Sequence, residues 1–384
     1  MIIIRRGSRT YKLLSILACV GEYPMQSLQY LGSADGWRKL INVLCTTQEF
    51  QIPGNDQIVT GRLLQVSGSN EHRGVYLNKW SLPILEQAIP EAYKYYTDRY
   101  PNYFHPARFR EVERIHRIAE VVAFFDQVNI QTCQYELPML QARQHKAIVP
   151  DEPCFYMSWE IKNADDDGGN RTKFSRLAGA VFYSGGAYAV YHSRNSVMNW
   201  NGDGEQKTKI YLSELARWNS RVPEFKRALL LGDDYELAKR TLESLDTVKK
   251  DQTKFSKIFE FVHYIPTNDF GIRLLRILIT PDWKEKLLDL VFDYEERGKD
   301  TNRIECDAIE NGVYVLSFLD GDIVRLNRAR TTLKNDPTIK LEIICFYEQG
   351  KFVQQLFGKR VKLRLVDLKE IEEALYSDWS DDDE

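Results

Sequence analysis

Pro150-Asp151-Glu152-Pro153-Cys154-Phe155-Tyr156-Met157-Ser158-Trp159-Glu160-Ile161-Lys162 is the stretch whose reading decides the fold. It reads as a turn feeding a short strand. On a strand, successive side chains point to opposite faces, so Glu160 and Lys162 are expected on one face and Trp159 and Ile161 on the other. Pro-Asp, eight residues, then Glu-x-Lys is the spelling of a metal-dependent nuclease core. Two carboxylates and a lysine around one point can hold a divalent cation and a polarised water against a phosphodiester. Asp151 and Glu160 are then the metal ligands, Mg²⁺ the implied cofactor, and Lys162 the group that stabilises charge or orients the water. Glu113, Glu120 and Glu136 are candidates for an outer ligand. The plainer alternative makes Glu160 and Lys162 the solvated face of a half-buried strand.

Outward from this stretch, the chain has room for two or three domains in its 384 residues. A hydrophobic content of 43% beside 28% charged residues suits a globular protein with a sizeable core. No apolar run reaches the roughly 20 residues of a membrane helix, and the start Met1-Ile2-Ile3-Ile4-Arg5-Arg6 lacks the order of a signal peptide. A cytoplasmic protein without membrane contact is expected. Six scattered cysteines without a C-x-x-C pair read as reduced thiols. Residues 1–150 carry 17 Lys/Arg against 13 Asp/Glu, while the remainder carries 35 against 42. An anionic partner is expected at the basic end.

That end has a legible order. Residues 9–20 place apolar groups at helical spacing and stop at Gly21. Met25–Leu31 reads as a short second helix, and Ser33 caps a third from about Ala34 to Phe50, with Trp37, Leu40, Ile41 and Leu44 inward. Two strand-like runs follow, residues 58–66 and 74–77. Three helices and a hairpin are the winged-helix order. Under it Arg38, Lys39 and Asn42 lie on the exposed face of the recognition helix, and Arg62, His72 and Arg73 belong to the wing, so duplex DNA is the expected partner. The alternative is a helical scaffold that binds another protein.

A long helix from Ala107 to Val128 comes next, with Val112, Ile115, Ala119, Val122 and Phe125 as its apolar stripe. His116 beside that stripe reads as a packing histidine. Arg176, after the Lys162 strand, is the candidate basic residue facing the nuclease site, with a structural hydrogen bond as its alternative. Past residue 250 strands alternate with helices, which predicts a compact domain with a partly parallel sheet. Asp320-Gly321-Asp322 reads as a turn between strands, and the acidic tail 377–384 as a solvating segment around Trp379.

The winged-helix order, the helix carrying His116-Arg117-Ile118-Ala119, an acidic residue Glu136 expected on a strand, and Pro150-Asp151 before Glu160 together resemble the replication-relaxation family of plasmids and conjugative or integrative elements. The resemblance covers about residues 8–215. It implies a DNA-associated protein of a mobile element, with other such proteins as further partners and a restriction-endonuclease-like PD-(D/E)XK second domain. In that family the last motif often reads Glu-x-Asp, and Glu160-Ile161-Lys162 departs toward active nucleases. The expected architecture is mixed α/β: a winged helix over 1–100, a restriction-endonuclease-like α/β domain over 101–245, a C-terminal α/β domain over 246–376, and the tail.

Overall fold

The structure is a computed structural model, and it describes residues 1–54, 58–100, 109–141, 146–198, 202–247, 257–298 and 303–377. The acidic tail beyond Ser377 and the polar run 249–254 lie outside the described residues. The fold is mixed α/β, 49% helical and 21% strand. The chain forms two compact units, Met1–Leu140 with Glu152–Glu160, and Gln141–Asp151 with Ile161–Glu384. This differs from the division expected near residues 100 and 245.

In the first unit a short strand β1 (Ile2–Ile3) precedes helix α1 (Arg9–Val20). Ser8 caps α1, its hydroxyl accepting from Tyr11 N at 3.2 Å, and Gly21 ends it at φ 82°. Leu13, Leu14, Leu17 and Val20 are fully buried, so α1 is the spine of this unit. Burial of each is worth about 2 kcal/mol. Strand β2 (Glu22–Pro24), a 3-10 turn over Met25–Leu31 and helix α2 (Ala34–Leu44) follow.

The helix expected to reach Phe50 stops at Leu44. Thr46 turns its hydroxyl onto Val43 O at 2.7 Å, and the chain then enters β3 (Gln48–Gln51). β3 pairs antiparallel with β4 (Ile58–Gly61) and parallel with β1. The run 58–66, expected as one strand, divides at Arg62-Leu63, and β5 (Leu64–Ser67) joins a different sheet. There β5 and β2 both pair antiparallel with β6 (Gly74–Leu77), in the order β2-β6-β5.

Helices α3 (Leu82–Ala88), α4 (Pro90–Arg99) and α5 (Phe109–Asp126) complete the layer. α5 is fastened by two buried polar contacts. His116 Nε2 lies 2.8 Å from Glu22 Oε1, and Ser27 Oγ donates to Glu120 Oε1 at 2.5 Å. His116 thus packs, as its place beside the apolar stripe suggests. Glu136, expected on a strand, instead closes a 3-10 turn over Gln134–Glu136. Strand β7 (Cys154–Met157) is buried along its length, and Phe155 meets Phe125 edge-on at 5.0 Å. Helix α6 (Ser158–Lys162) contains the boundary between the units.

The second unit opens with the short helix α7 (Gly168–Arg171) and the antiparallel hairpin β8 (Gly179–Tyr183) and β9 (Gly186–His192). Helix α8 (Gly202–Asn219) leads to β10 (Arg227–Gly232), and α9 (Tyr235–Thr247) to β11 (Phe261–Pro266). β9, β10 and β11 are parallel neighbours, so the sheet runs across residue 245 and no domain ends there. After α10 (Asp269–Leu278) and α11 (Trp283–Val291) comes a second sheet. Its edge strand β12 (Ala308–Glu310) is antiparallel to β13 (Val313–Ser317), which is parallel to β14 (Leu341–Phe346), itself parallel to β15 (Val361–Val366). Helices α12 (Ile323–Asn335), α13 (Tyr347–Phe357) and α14 (Leu368–Ser377) alternate with them. Tyr235 of α9 joins the halves, stacking on Phe352 at 5.1 Å and accepting from Gln349 Nε2 at 3.1 Å.

Candidate nucleic-acid interface

α2 owes its orientation to three buried side chains at helical spacing, Trp37, Ile41 and Leu44. Trp37 Nε1 donates to Leu31 O at 2.8 Å, which ties α2 to the preceding 3-10 turn. The opposite face presents Arg38, Lys39 and Asn42, all exposed. Arg38 Nη1 is 2.8 Å from Asp35 Oδ1, so part of its charge is spent within the helix. Lys39 has no ion-pair partner among the described residues.

The connection between β5 and β6 carries a 3-10 turn, Asn70–His72, in which His72 is half-buried and Arg73 beyond it is exposed. Arg73 O accepts from Met25 N at 2.9 Å, so the base of this connection and the start of the turn before α2 are one hydrogen-bonded piece. Arg62, exposed, stands where the chain passes from one sheet to the other rather than in the hairpin where it was expected. Burial pushes the Cys45 thiol up, and the fields of Arg62 and Arg73 oppose that push. Both guanidinium groups therefore act at the C-terminal end of α2, where the helix dipole favours cations. At the other end Arg9 lies 5.9 Å from the Trp37 ring. Trp80, missed in the sequence, is 59% exposed beside Gly61, with Lys79 Nζ 5.1 Å from its ring.

The motif Pro150–Lys162 takes a different shape from the one expected. Only Cys154–Met157 is strand, and Ser158–Lys162 is helix. Residues two positions apart on a helix are turned about 200° from each other, so Glu160 and Lys162 do not share a face. Glu160 Oε1 accepts from Tyr95 OH at 2.5 Å, and Tyr95 OH in turn accepts from Trp159 Nε1 at 3.1 Å. The Arg99 guanidinium covers the Trp159 ring at 3.5 Å. Burial, then the Glu160 charge, holds the Tyr95 phenol far above its ordinary range, so it stays a donor to that carboxylate.

Asp151 is exposed in a loop of the second unit, whereas Glu160 belongs to the first. Among the described residues no group of three or more His, Cys, Asp or Glu could hold a metal ion. Glu113 accepts from Arg117 at 2.6 Å and Glu120 from Ser27 Oγ, and neither they nor Glu136 belong to such a group among the described residues. The residues present do not fit a Mg²⁺ site.

The Arg176 side chain is exposed, and its backbone N donates to Glu205 Oε1 at 2.7 Å. Glu205 is fully buried and also accepts from Ser175 Oγ and Tyr191 OH, each at 2.7 Å. Its carboxyl is pushed up by burial and held down by these donors. Nothing in the sequence marks Glu205, because its partners come from two other segments, the loop at Ser175-Arg176 and strand β9. No protein-family model, curated protein or solved structure matches the chain.

Proposed function

We propose that the first unit binds duplex DNA, with α2 presented to the major groove and the β5–β6 connection as a wing on the phosphate backbone. In the setting implied by the family resemblance, such contact serves replication or mobilisation of a plasmid or conjugative element, or its regulation. One observation carries the reading. The turn Met25–Leu31 packs against α2 on the side of Trp37, Ile41 and Leu44, which are buried, while Arg38, Lys39 and Asn42 on the other side are exposed. The charge agrees in sign, since residues 1–81 hold nine Lys/Arg against five Asp/Glu. Nothing in the geometry of Asp151, Glu160 and Lys162 favours the nuclease alternative.

The test is duplex binding by fluorescence anisotropy over a range of salt. Each phosphate contact contributes roughly 0.9 to the slope of log affinity against log salt. Lys39→Ala is expected to reduce that slope by about 1. Arg38→Ala is expected to do less, because Asp35 already neutralises part of its charge. Binding that is absent, insensitive to salt, or untouched by both substitutions refutes the proposal.

A further inference from the structure

We infer that the second unit carries a separate site for single-stranded nucleic acid, a basic cleft at the C-terminal end of α8. The cleft encloses 1180 Å³ and is open to solvent. Its walls include Arg217 in the last turn of α8, Arg221 just beyond it, Lys226 and Arg227 at the start of β10, and Phe261 at the start of β11. Against these four cations stand two carboxylates, Asp151 and Glu224, and Glu224 already meets Lys209 at 3.6 Å.

The cations are available. Among the described residues Arg217 gives only Nε, to Pro223 O at 3.2 Å. Arg221 is exposed, has no ion pair among the described residues, and holds φ at 54°. A positive φ is uncommon for a residue with a side chain, and its strain is sustained only where surroundings fix it. Lys226 meets Glu260 at 3.2 Å in an exposed pair worth little. Arg227 is half-buried between the rings of Phe261 and Trp283, at 6.0 and 5.5 Å, with no carboxylate partner among the described residues. A guanidinium withdrawn from water without a counter-charge is costly, and an anion in the cleft offsets that cost.

A second, independent observation points the same way. Ser220 lines the cleft, is 1% exposed, and its hydroxyl has no hydrogen-bond partner among the described residues. A buried hydroxyl left unpaired costs roughly 1–3 kcal/mol. Guanidinium groups on a concave surface, with an unpaired hydroxyl buried in its wall, complement an anion with several acceptor oxygens, which is the chemistry of phosphate.

Extent selects the form. Small-molecule sites run to roughly 300–1,000 Å³ and enclose their ligand. This cleft is larger and open, and its four cations come from the end of α8, the turn after it and the start of β10. A flexible strand can follow a concave basic surface with an aromatic edge such as Phe261, whereas a stiff duplex cannot bend into it. The site is independent of the duplex reading given to α2, and the two fail separately.

The test uses the full-length protein and a labelled oligothymidylate, followed by anisotropy over a range of salt. The double variant Arg217→Ala, Arg221→Ala is expected to lose about tenfold or more in affinity. Its salt slope should fall by roughly 0.7 for each phosphate it no longer neutralises. Ser220→Ala removes an unpaired hydroxyl, so it should melt no lower than the wild type, yet bind the strand a few-fold more weakly. Lys39→Ala should leave the strand's affinity unchanged. The inference is overturned if neither cleft variant weakens binding, or if Lys39→Ala weakens it as much as they do.

Discussion

Asp322→Asn is expected to unmask an acid weakness that the wild-type second unit conceals. Asp322 caps α12 from a site 1% exposed to solvent. Its Oδ1 accepts from Val324 N at 2.9 Å, Val262 N at 3.2 Å and Arg325 N at 3.4 Å, while Oδ2 is buried without a partner among the described residues. Burial first, then the charge of Asp320, pushes its carboxyl up to about 7, with Arg325 and the backbone amides pulling against them. His263, opposite it across a bridge between β11 and the residue before α12, is 1% exposed. Burial lowers its pKa to about 4, opposed by Asp320 and reinforced by Arg227 and Lys284.

The signs are opposite. A histidine lowered in the fold contributes stability above its unfolded value near 6.5, and that stability is lost as pH falls toward 4. A carboxyl raised in the fold contributes stability below its unfolded value near 4, lost as pH rises through 7. Each difference is worth roughly 3–4 kcal/mol at most, at about 1.36 kcal/mol for each pH unit. Between pH 7 and pH 4.5 the two offset each other. Asparagine keeps the Oδ1 acceptor and does not titrate, so the variant loses about 3 kcal/mol over that interval relative to the wild type. The readout is native-state hydrogen exchange of the β11 and α12 amides at pH 7 and pH 4.5, comparing variant with wild type at each pH so that intrinsic rates cancel. Equal losses in the two proteins would refute the offset.

Two further outcomes follow from the motif residues. Tyr95→Phe removes the donor to Glu160 and the acceptor of Trp159 Nε1, and should cost the first unit about 1–3 kcal/mol in urea unfolding, whereas Glu160→Gln retains an acceptor and should cost less. Asp151→Asn deletes a negative charge from the basic cleft and should raise affinity for a single strand by about twofold, where a ligand of a catalytic metal would instead lose metal-dependent cleavage.

What the sequence made legible depended on how local the deciding contacts are. α1 was legible at both ends because Ser8 caps it and Gly21 ends it within its own turn. The two faces of α2 were legible because Trp37, Ile41 and Leu44 repeat at helical spacing. Its early end was not, since nothing between Cys45 and Phe50 forbids a helix and the strand β3 exists only by pairing with β1 and β4. Residues 58–66 have the composition of a strand, and composition carries no mark of which sheet each half joins. Ser158–Lys162 is ambiguous between helix and strand at that length. Its fate rests on Tyr95 and Arg99 of α4, some 60 residues away. Asp320-Gly321-Asp322 has the composition of a hairpin turn, but Asp322 finds the amides of Val324 and Arg325 and starts a helix instead.

The same contrast separates the two proposed nucleic-acid sites. α2 is a convex element, held by one apolar face, and a convex helix suits the groove of a duplex. The α8 cleft is concave, and its cations come from segments joined by the β8–β11 sheet, so no local pattern announced it. Arg217 and Arg221 read as ordinary charges at the end of a helix, Lys226 and Arg227 as the polar start of a strand. Only the parallel pairing of β10 with β9 and β11 brings Arg227 beside Phe261, while the turn after α8 brings Arg221 to the same opening. A groove-binding helix and a strand-binding cleft also differ in a measurable way. Duplex contacts release roughly 0.9 counterion per phosphate and single-strand contacts roughly 0.7, so the two slopes should separate in one titration series and respond to different substitutions.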